Sequence, residues 1–185
     1  MREKTLAAAE LFAERGLDGT KMEDIAAATG VPKATLYYYF DGKEAILAFL
    51  FAELLDELKR AVEGALATEG TAADRLRAVV TANLRVAALR PAASLALQFD
   101  LGRAARLTHI MEGIQGVFVD PVTDLLAAGA LDGSLKSQSH PRIAVVAILG
   151  AVNAVAVDAI ATGSSRPAEE LADDILAVVM LGAGA

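Results

Sequence analysis

The stretch that most restricts the fold is Gly30-Val31-Pro32-Lys33-Ala34-Thr35-Leu36-Tyr37-Tyr38-Tyr39-Phe40-Asp41-Gly42-Lys43-Glu44. Gly30 ends one short helical pattern, and Pro32 opens another with a φ already suited to a first helical turn. Leu36 and Phe40 lie four apart and share one face. At roughly 100° per residue, Ala34, Thr35 and Tyr38 point the other way. Lys33 sits at the positive end of the helix dipole. Asp41 and Glu44 have the spacing of a capping box that starts the next helix. Lys43 falls in that helix's first turn, where a cation is unfavourable unless an anion lies opposite. A short helix between two turns, with a polar outward face, is what insertion into a DNA major groove requires. A small helix with a solvated face satisfies the same geometry.

Composition sets the fold class around this stretch. At 55% hydrophobic and 5% aromatic, the apolar residues are mostly Ala, Leu and Val. Alternating β patterns are absent, so the chain reads as all-α. Its 185 residues allow one large or two small domains and a substantial core. Without Cys there is no disulfide framework or thiolate chemistry. Met1 runs directly into a charged amphipathic helix, so no signal peptide is expected and the location is cytoplasmic. A net charge of −7 argues against nonspecific coating of nucleic acid. It leaves specific DNA binding open, because Tyr, Thr and backbone N–H groups also hold phosphates.

The N-terminal segment reads as three helices. Residues 2–15 place Leu6, Ala9, Phe12 and Ala13 on one stripe, and Gly16 follows as the C-cap. Thr20 is placed to cap a second helix with Met22, Ile25 and Ala26 at helical spacing, ending at Thr29-Gly30. Leu6, Phe12, Ile25, Leu36 and Phe40 make one small core.

These residues resemble the DNA-binding domain of the TetR family of bacterial transcription regulators. The resemblance rests on Ala9-Glu10-Leu11-Phe12-Ala13-Glu14-Arg15-Gly16, on Asp24-Ile25-Ala26, and on Thr29 through Phe40 with Lys43-Glu44. It implies an all-helical homodimer, in many members a repressor that leaves its double-stranded DNA operator when a small-molecule effector binds the larger domain. It also implies roles. Lys33, Ala34, Thr35 and Tyr38 match positions facing bases or the adjoining backbone. Tyr37, Tyr39 and Lys43 match phosphate-holding positions. Thr20 and Lys21 stand at the start of the second helix, where N–H groups and a cation grip a phosphate. Pro32 replaces the Ser or Thr the family often carries, so that side-chain cap is missing.

The expected organisation is a three-helix helix-turn-helix domain over 1–46, joined to a larger helical ligand-binding and dimerisation domain over 47–185. Asp41 starts a helix running through about Ala67, with Ile46, Leu47, Leu50, Phe51, Leu54, Leu55, Leu58 and Val62 apolar. Thr71 and Asp74 form another capping box, and Pro91 stops the helix that follows. Residues 91–132 are the least regular. Gly102, Gly113, Gly116 and Pro121 punctuate them, and Asp120-Pro121 should break or kink a helix. Gln98, Phe99, His109, Met111, Gln115 and Phe118 are the candidates for an adaptable, mostly apolar ligand pocket. Ordinary core or surface roles fit each of them individually.

From Ile143 to Val157 only Asn153 interrupts an apolar run, so that helix must be covered on all sides. It falls short of a span of about 20 apolar residues and lacks tight flanking anchors, so no membrane partner is expected. Burial against a second copy is the better reading, with Gly150, Ala151 and Ala154 allowing close approach. Pro167 opens a final helix. Val146, Leu149, Gly150, Asn153, Val157, Leu171, Ile175 and Val178 form the expected homodimer interface.

An enzyme is not expected. His109 and His140 are the only histidines, which excludes a His-rich metal site. No nucleophilic triad, phosphate-cradling loop or isolated carboxylate dyad stands out, and no cofactor is implied. Two alternatives stay open: a helix-turn-helix regulator without a small-molecule response, and a hydrophobic-ligand carrier that has lost DNA binding.

Overall fold

The computed structural model describes residues 5–99 and 108–181. Asp100 and Gly102 lie outside them. Helices α1 (Ala8–Gly19), α2 (Met22–Thr29), α3 (Lys33–Tyr39), α4 (Lys43–Leu66), α5 (Ala72–Leu89) and α6 (Pro91–Phe99) come first. Then come α7 (Thr108–Ile114), a π-helical segment Gln115–Val119, α8 (Asp120–Asp132), α9 (Pro141–Thr162) and α10 (Ala168–Leu181). The described residues contain no strand. They pack into two units, residues 1–56 with 90–111, and residues 57–89 with 112–185. A boundary at 46/47 falls inside α4.

In the first unit, Phe12, Ile25, Leu36 and Ile46 are completely buried, and Leu50 and Phe51 nearly so. Full burial of each large side chain contributes about 1.5–3 kcal/mol. Phe40 is only half-buried and meets Phe49 edge-on, ring centroids 5.6 Å apart. Gly16 takes φ 64° and ψ 176°, a kink inside α1 and not the left-handed cap expected of it; the C-cap residue is Thr20. Helix α6 packs against α1. Gln98 and Phe99 therefore join the N-terminal unit.

Two expected helix starts are displaced. Pro32 has φ −54° and ψ 138°, so it is the N-cap residue and Lys33 is the first helical position. Helix α4 opens at Lys43, and Gly42, at φ 138°, makes the turn ahead of it. That conformation suits only glycine. It places Asp41 one residue too early to cap.

The second unit is held by a core including Leu76, Val79, Phe118, Val122, Val145, Ile148 and Val152. The Thr71–Asp74 capping box is complete: the Asp74 carboxylate accepts the Thr71 N–H at 2.9 Å, and the Thr71 hydroxyl accepts the Asp74 N–H at 3.2 Å. Asp132 and Ser134 accept the next free donors of α5, from Ala72 at 2.9 Å and Ala73 at 3.2 Å. Arg77 pairs with Asp173, and Arg85 with Glu169, tying α5 to α10. Pro91 stops α5 as expected. Asp120-Pro121 breaks nothing, because the helix runs from Thr108 to Asp132 through the π segment. There the Asp120 N–H donates to the Gln115 carbonyl. The widened turn removes the conflict that a proline ring makes with a regular preceding turn.

Helix α9 shows why its sequence is apolar all round. Val145, Ile148, Val152 and Ala156 are buried in the unit's own core. Ile143, Val146, Ala147, Gly150 and Ala154 form the opposite, exposed stripe. By length and composition, α9 and the helix Ile110–Asp132 could each cross a membrane. The inner face of α9 is instead committed to packing against α5, α8 and α10.

Candidate functional site

The turn into α3 is built from three residues. The Thr29 hydroxyl donates to the Ile25 carbonyl at 2.7 Å and accepts the Val31 N–H at 3.3 Å. Between them Gly30 adopts φ 64°, ψ 19°, the left-handed region. Pro32 then caps through its carbonyl, which accepts from Thr35 at 2.8 Å and Leu36 at 3.0 Å. Leu36 is the one buried residue of α3 and fixes the helix on the core. Lys33, Ala34, Tyr37, Tyr38 and Tyr39 are exposed and Thr35 is partly so. Tyr38, at 81% exposure, projects furthest of the three tyrosines. Its ring meets Tyr39 edge-on at 5.0 Å.

Three cations around this face, Arg15, Lys33 and Lys43, are already engaged. Lys33 pairs with Glu23 of α2 and lies 5.7 Å from the Tyr37 ring centroid. The hydrogen bond to Lys33 holds the Glu23 carboxyl below its ordinary range, and Glu23 raises the Lys33 ammonium in turn. Arg15 reaches Asp24 at 3.7 Å. The Asp24 carboxylate also accepts the Lys21 N–H at 3.1 Å. The Lys43 ammonium donates to the carbonyl of Thr20 at 3.1 Å and lies 3.5 Å from that of Asp18. Lys43 thus braces the α1–α2 turn from the start of α4.

Thr20 takes a different role from the one expected. It is completely buried. Its hydroxyl lies 2.8 Å from the Gly16 carbonyl and 3.3 Å from that of Leu11, and its N–H donates to Leu17. Both donors are spent holding the irregular turn after Gly16. Lys21, exposed, is the N-cap residue of α2.

The six expected ligand residues do not gather in one unit. Gln98, half-buried, and Phe99, 65% exposed, belong to the first, as does Met111 at 41% exposure. The side chain of His109 lies outside the described residues. In the second unit, the Gln115 amide donates to the Asp120 carboxylate at 2.5 Å across the π segment. Phe118 is 1% exposed and part of the core. It packs in the core of the second unit, where the π segment meets α8 and α9.

Of the expected dimer residues, Val146, Gly150 and Val178 are exposed, while Leu149, Asn153, Val157 and Leu171 are partly so. Ile175 is not available for a partner. It is 4% exposed and packs with Ala172 in its own core. Ile143 and Ala147, on the outer stripe of α9, and Glu23, beside Lys33, were not among the expected site residues. Sequence spacing could have found the stripe, because its members recur every three or four positions. Glu23 lies ten residues from Lys33 across a turn, a separation without a periodic signature.

The sequence comparisons agree with this geometry. Residues 5–49 match the family of bacterial regulatory proteins of the tetR family. Residues 69–183 match the tetracyclin repressor-like C-terminal domain. The chain is 30% identical over 178 residues to the transcriptional repressor KstR2 of Rhodococcus jostii (strain RHA1), covering 95% of this chain and 86% of that one. Two solved structures share the fold. The fatty acid degradation regulator FadR of Bacillus halodurans has a TM-score of 0.84 at 22% identity, with 99% and 96% of the two chains covered. FadR of Bacillus subtilis in complex with stearoyl-CoA has a TM-score of 0.80 at 21% identity, covering 98% and 99%. With a helix-turn-helix unit and a helical C-terminal domain that both match, the chain belongs to the TetR family of bacterial transcription regulators.

Proposed function

We propose that this regulator is a dimeric repressor whose α3 reads an operator in the major groove, and that an acyl-coenzyme A thioester releases it. The observation that carries the DNA reading is the outward face of α3. Lys33, Ala34, Thr35 and Tyr38 stand together on a helix anchored by a single buried leucine. The first three are short or flexible enough to approach base edges, and Tyr38 offers both a ring for the thymine methyl and a hydroxyl. Tyr37, Tyr39, Lys21 and Lys43 flank them as phosphate partners. Residues 1–46 would supply these contacts, and residues 47–185 the effector and dimer surfaces. The outer stripe of α9 is the dimer surface. Two subunits then present two α3 helices to half-sites about one helical turn apart. A chromosomal partner places the protein in the cytoplasm.

The effector class follows from likeness. The Bacillus subtilis regulator of the same fold holds stearoyl-CoA, and the Rhodococcus jostii relative is a repressor. An acyl chain suits a helical domain rich in Ala, Leu and Val. Gln98, His109 and Gln115 stay candidates for ligand contact only singly, since they do not belong to one unit. Helix α6 offers a route to the DNA face, because it packs on α1 within the N-terminal unit.

The test has two steps. Sequencing DNA pulled down by the protein gives the operator. Fluorescence anisotropy then measures its affinity with and without stearoyl-CoA and shorter acyl-CoAs. We expect an acyl-CoA to weaken operator binding by about 5–150-fold, and operator DNA to weaken acyl-CoA binding by the same factor, as linkage demands. Unchanged operator affinity at saturating acyl-CoA would remove the effector while leaving the DNA reading intact. Failure to enrich any sequence would remove the DNA reading itself.

A further inference from the structure

We propose that Glu23 is a specificity-determining residue: its carboxylate holds Lys33 back from DNA that offers no better acceptor. The proposal rests on the reading of α3 as the DNA-facing helix. Three observations carry it.

First, the pair is direct. The Lys33 ammonium is bonded to the Glu23 carboxylate, and the two groups are 46% and 63% exposed. Neither is hidden from an incoming duplex. Second, the pair joins two helix starts. Glu23 lies in the first turn of α2, where a carboxylate is favoured. Lys33 is the first residue of α3, where a cation is disfavoured without an anion beside it. The carboxylate therefore supplies the negative charge that a phosphate would otherwise bring. Third, cations are scarce here. Between Thr5 and Phe49 the chain carries four, Arg15, Lys21, Lys33 and Lys43, against seven carboxylates, Glu10, Glu14, Asp18, Glu23, Asp24, Asp41 and Glu44. Arg15 faces Asp24 and Lys43 faces backbone carbonyls. Lys33 is thus the cation of α3, and Glu23 decides when it is available.

Nonspecific binding comes almost entirely from cations neutralising phosphates. On arbitrary DNA, Lys33 must leave Glu23 for a phosphate while the carboxylate stays close to the polyanion, so little is gained. On an operator, the same lysine reaches a base-edge acceptor such as guanine O6 and N7, where direct readout supplies discrimination. Glu23 thereby widens the gap between operator and bulk DNA.

The experiment uses full-length protein, operator duplex and a scrambled duplex, with salt titrations. Glu23→Gln should tighten scrambled-DNA binding about threefold per subunit, near tenfold for a dimer, and steepen its salt dependence by about one released ion per subunit. Operator affinity should rise less, so the operator-to-scrambled ratio falls. The same substitution in a Lys33→Met background should change scrambled binding by less than about twofold, because coupling between contacting residues shows as non-additivity. An equal effect of Glu23→Gln in both backgrounds would overturn the proposal, since only general charge would then be acting. So would an unchanged or rising operator-to-scrambled ratio. If Lys33→Met alone left operator and scrambled binding untouched, the fault would lie with the DNA-facing assignment of α3.

Discussion

Helices α3 and α9 both show the solvent a row of side chains that their own unit does not cover, and the rows differ in kind. On α3 the row is a lysine, a threonine and three tyrosines, with Tyr38 81% exposed. On α9 it is Ile143, Val146, Ala147, Gly150 and Ala154, without a hydrogen-bonding side chain among them. A polar-tipped aromatic row loses little in water and gains from a partner rich in acceptors, as DNA is. An aliphatic row with a glycine at its centre loses in water and gains from another helix that can approach closely. The difference matches the two partners proposed above, DNA for the first row and a second copy for the other.

Breaking α9 should have the largest effect. Gly150 has open space where a Cβ would go, so Gly150→Ala should leave the monomer's fold alone. Gly150→Arg puts a charge into the stripe. If a second copy covers it, the uncompensated charge costs on the order of 3–5 kcal/mol. Sedimentation should then show monomers at micromolar concentration, and operator binding should be lost with the dimer. A wild-type protein that sediments as a monomer would end this reading.

Breaking α3 should have a smaller and more selective effect. Tyr38→Ala is expected to weaken operator binding by about 1–3 kcal/mol while relaxing preference at one base position. Dimerisation should be unchanged and thermal stability nearly so, since the one ring contact of Tyr38 among the described residues is with the exposed Tyr39. Anisotropy against a panel of single-base operator variants checks it. A uniform loss across the panel would make Tyr38 a phosphate contact.

Much of α3 was legible because its causes are local. Gly30, Pro32, Leu36 and the tyrosines all act within one or two turns of each other. The family pattern covers the same span. The errors there came from groups meeting across turns. Thr20 looked like a cap and a phosphate grip until the chain folded its hydroxyl back onto Gly16 and Leu11. For α9, the sequence established that every face is apolar, but not which stripe the core would take. That choice is made by Val145, Ile148, Val152 and Ala156 meeting partners far along the chain. The same limit applies to Phe118 and Ile175, which read as pocket and interface but serve as core. It also applies to α6, whose packing on α1 no local pattern announced.

A buried contact offers a control in which folding, and not binding, should respond. Gly129 on α8 is packed so closely that an added Cβ would lie 2.5 Å from Leu135 Cδ1 and 2.7 Å from its Cβ. Gly129→Ala gains up to about 1 kcal/mol in helix propensity. It forces a backbone or side-chain shift costing about 1–3 kcal/mol. Denaturant unfolding should show a net loss, with operator affinity per folded dimer unchanged. A net gain would mean that the Leu135 loop yields freely.

The smallest effect concerns a polar contact that neither exposed row uses, and its signature is a pH dependence. The Asp132 carboxylate accepts N–H donors from Ala72 at 2.9 Å and from Ser134 at 2.8 Å. Hydrogen bonding from Ser134 first, and from Ala72 next, lowers its carboxyl from the ordinary value of 3.8. A folded-state pKa below the unfolded one gives stability that is fully present above the unfolded pKa and lost as pH falls through the folded value. Asp132→Asn removes the charge at every pH and cannot titrate. The melting temperature of the variant should therefore lie below wild type at neutral pH, and the gap should close once acid has protonated Asp132. Asp74 and Asp173 are also lowered, by their bonds to Thr71 and Arg77. They titrate in both proteins, so the difference between the two melting curves isolates Asp132. A gap that persists unchanged into acid would show that the loss comes from the shape of the Asn amide, whose NH2 opposes one of the two donors, and not from the charge.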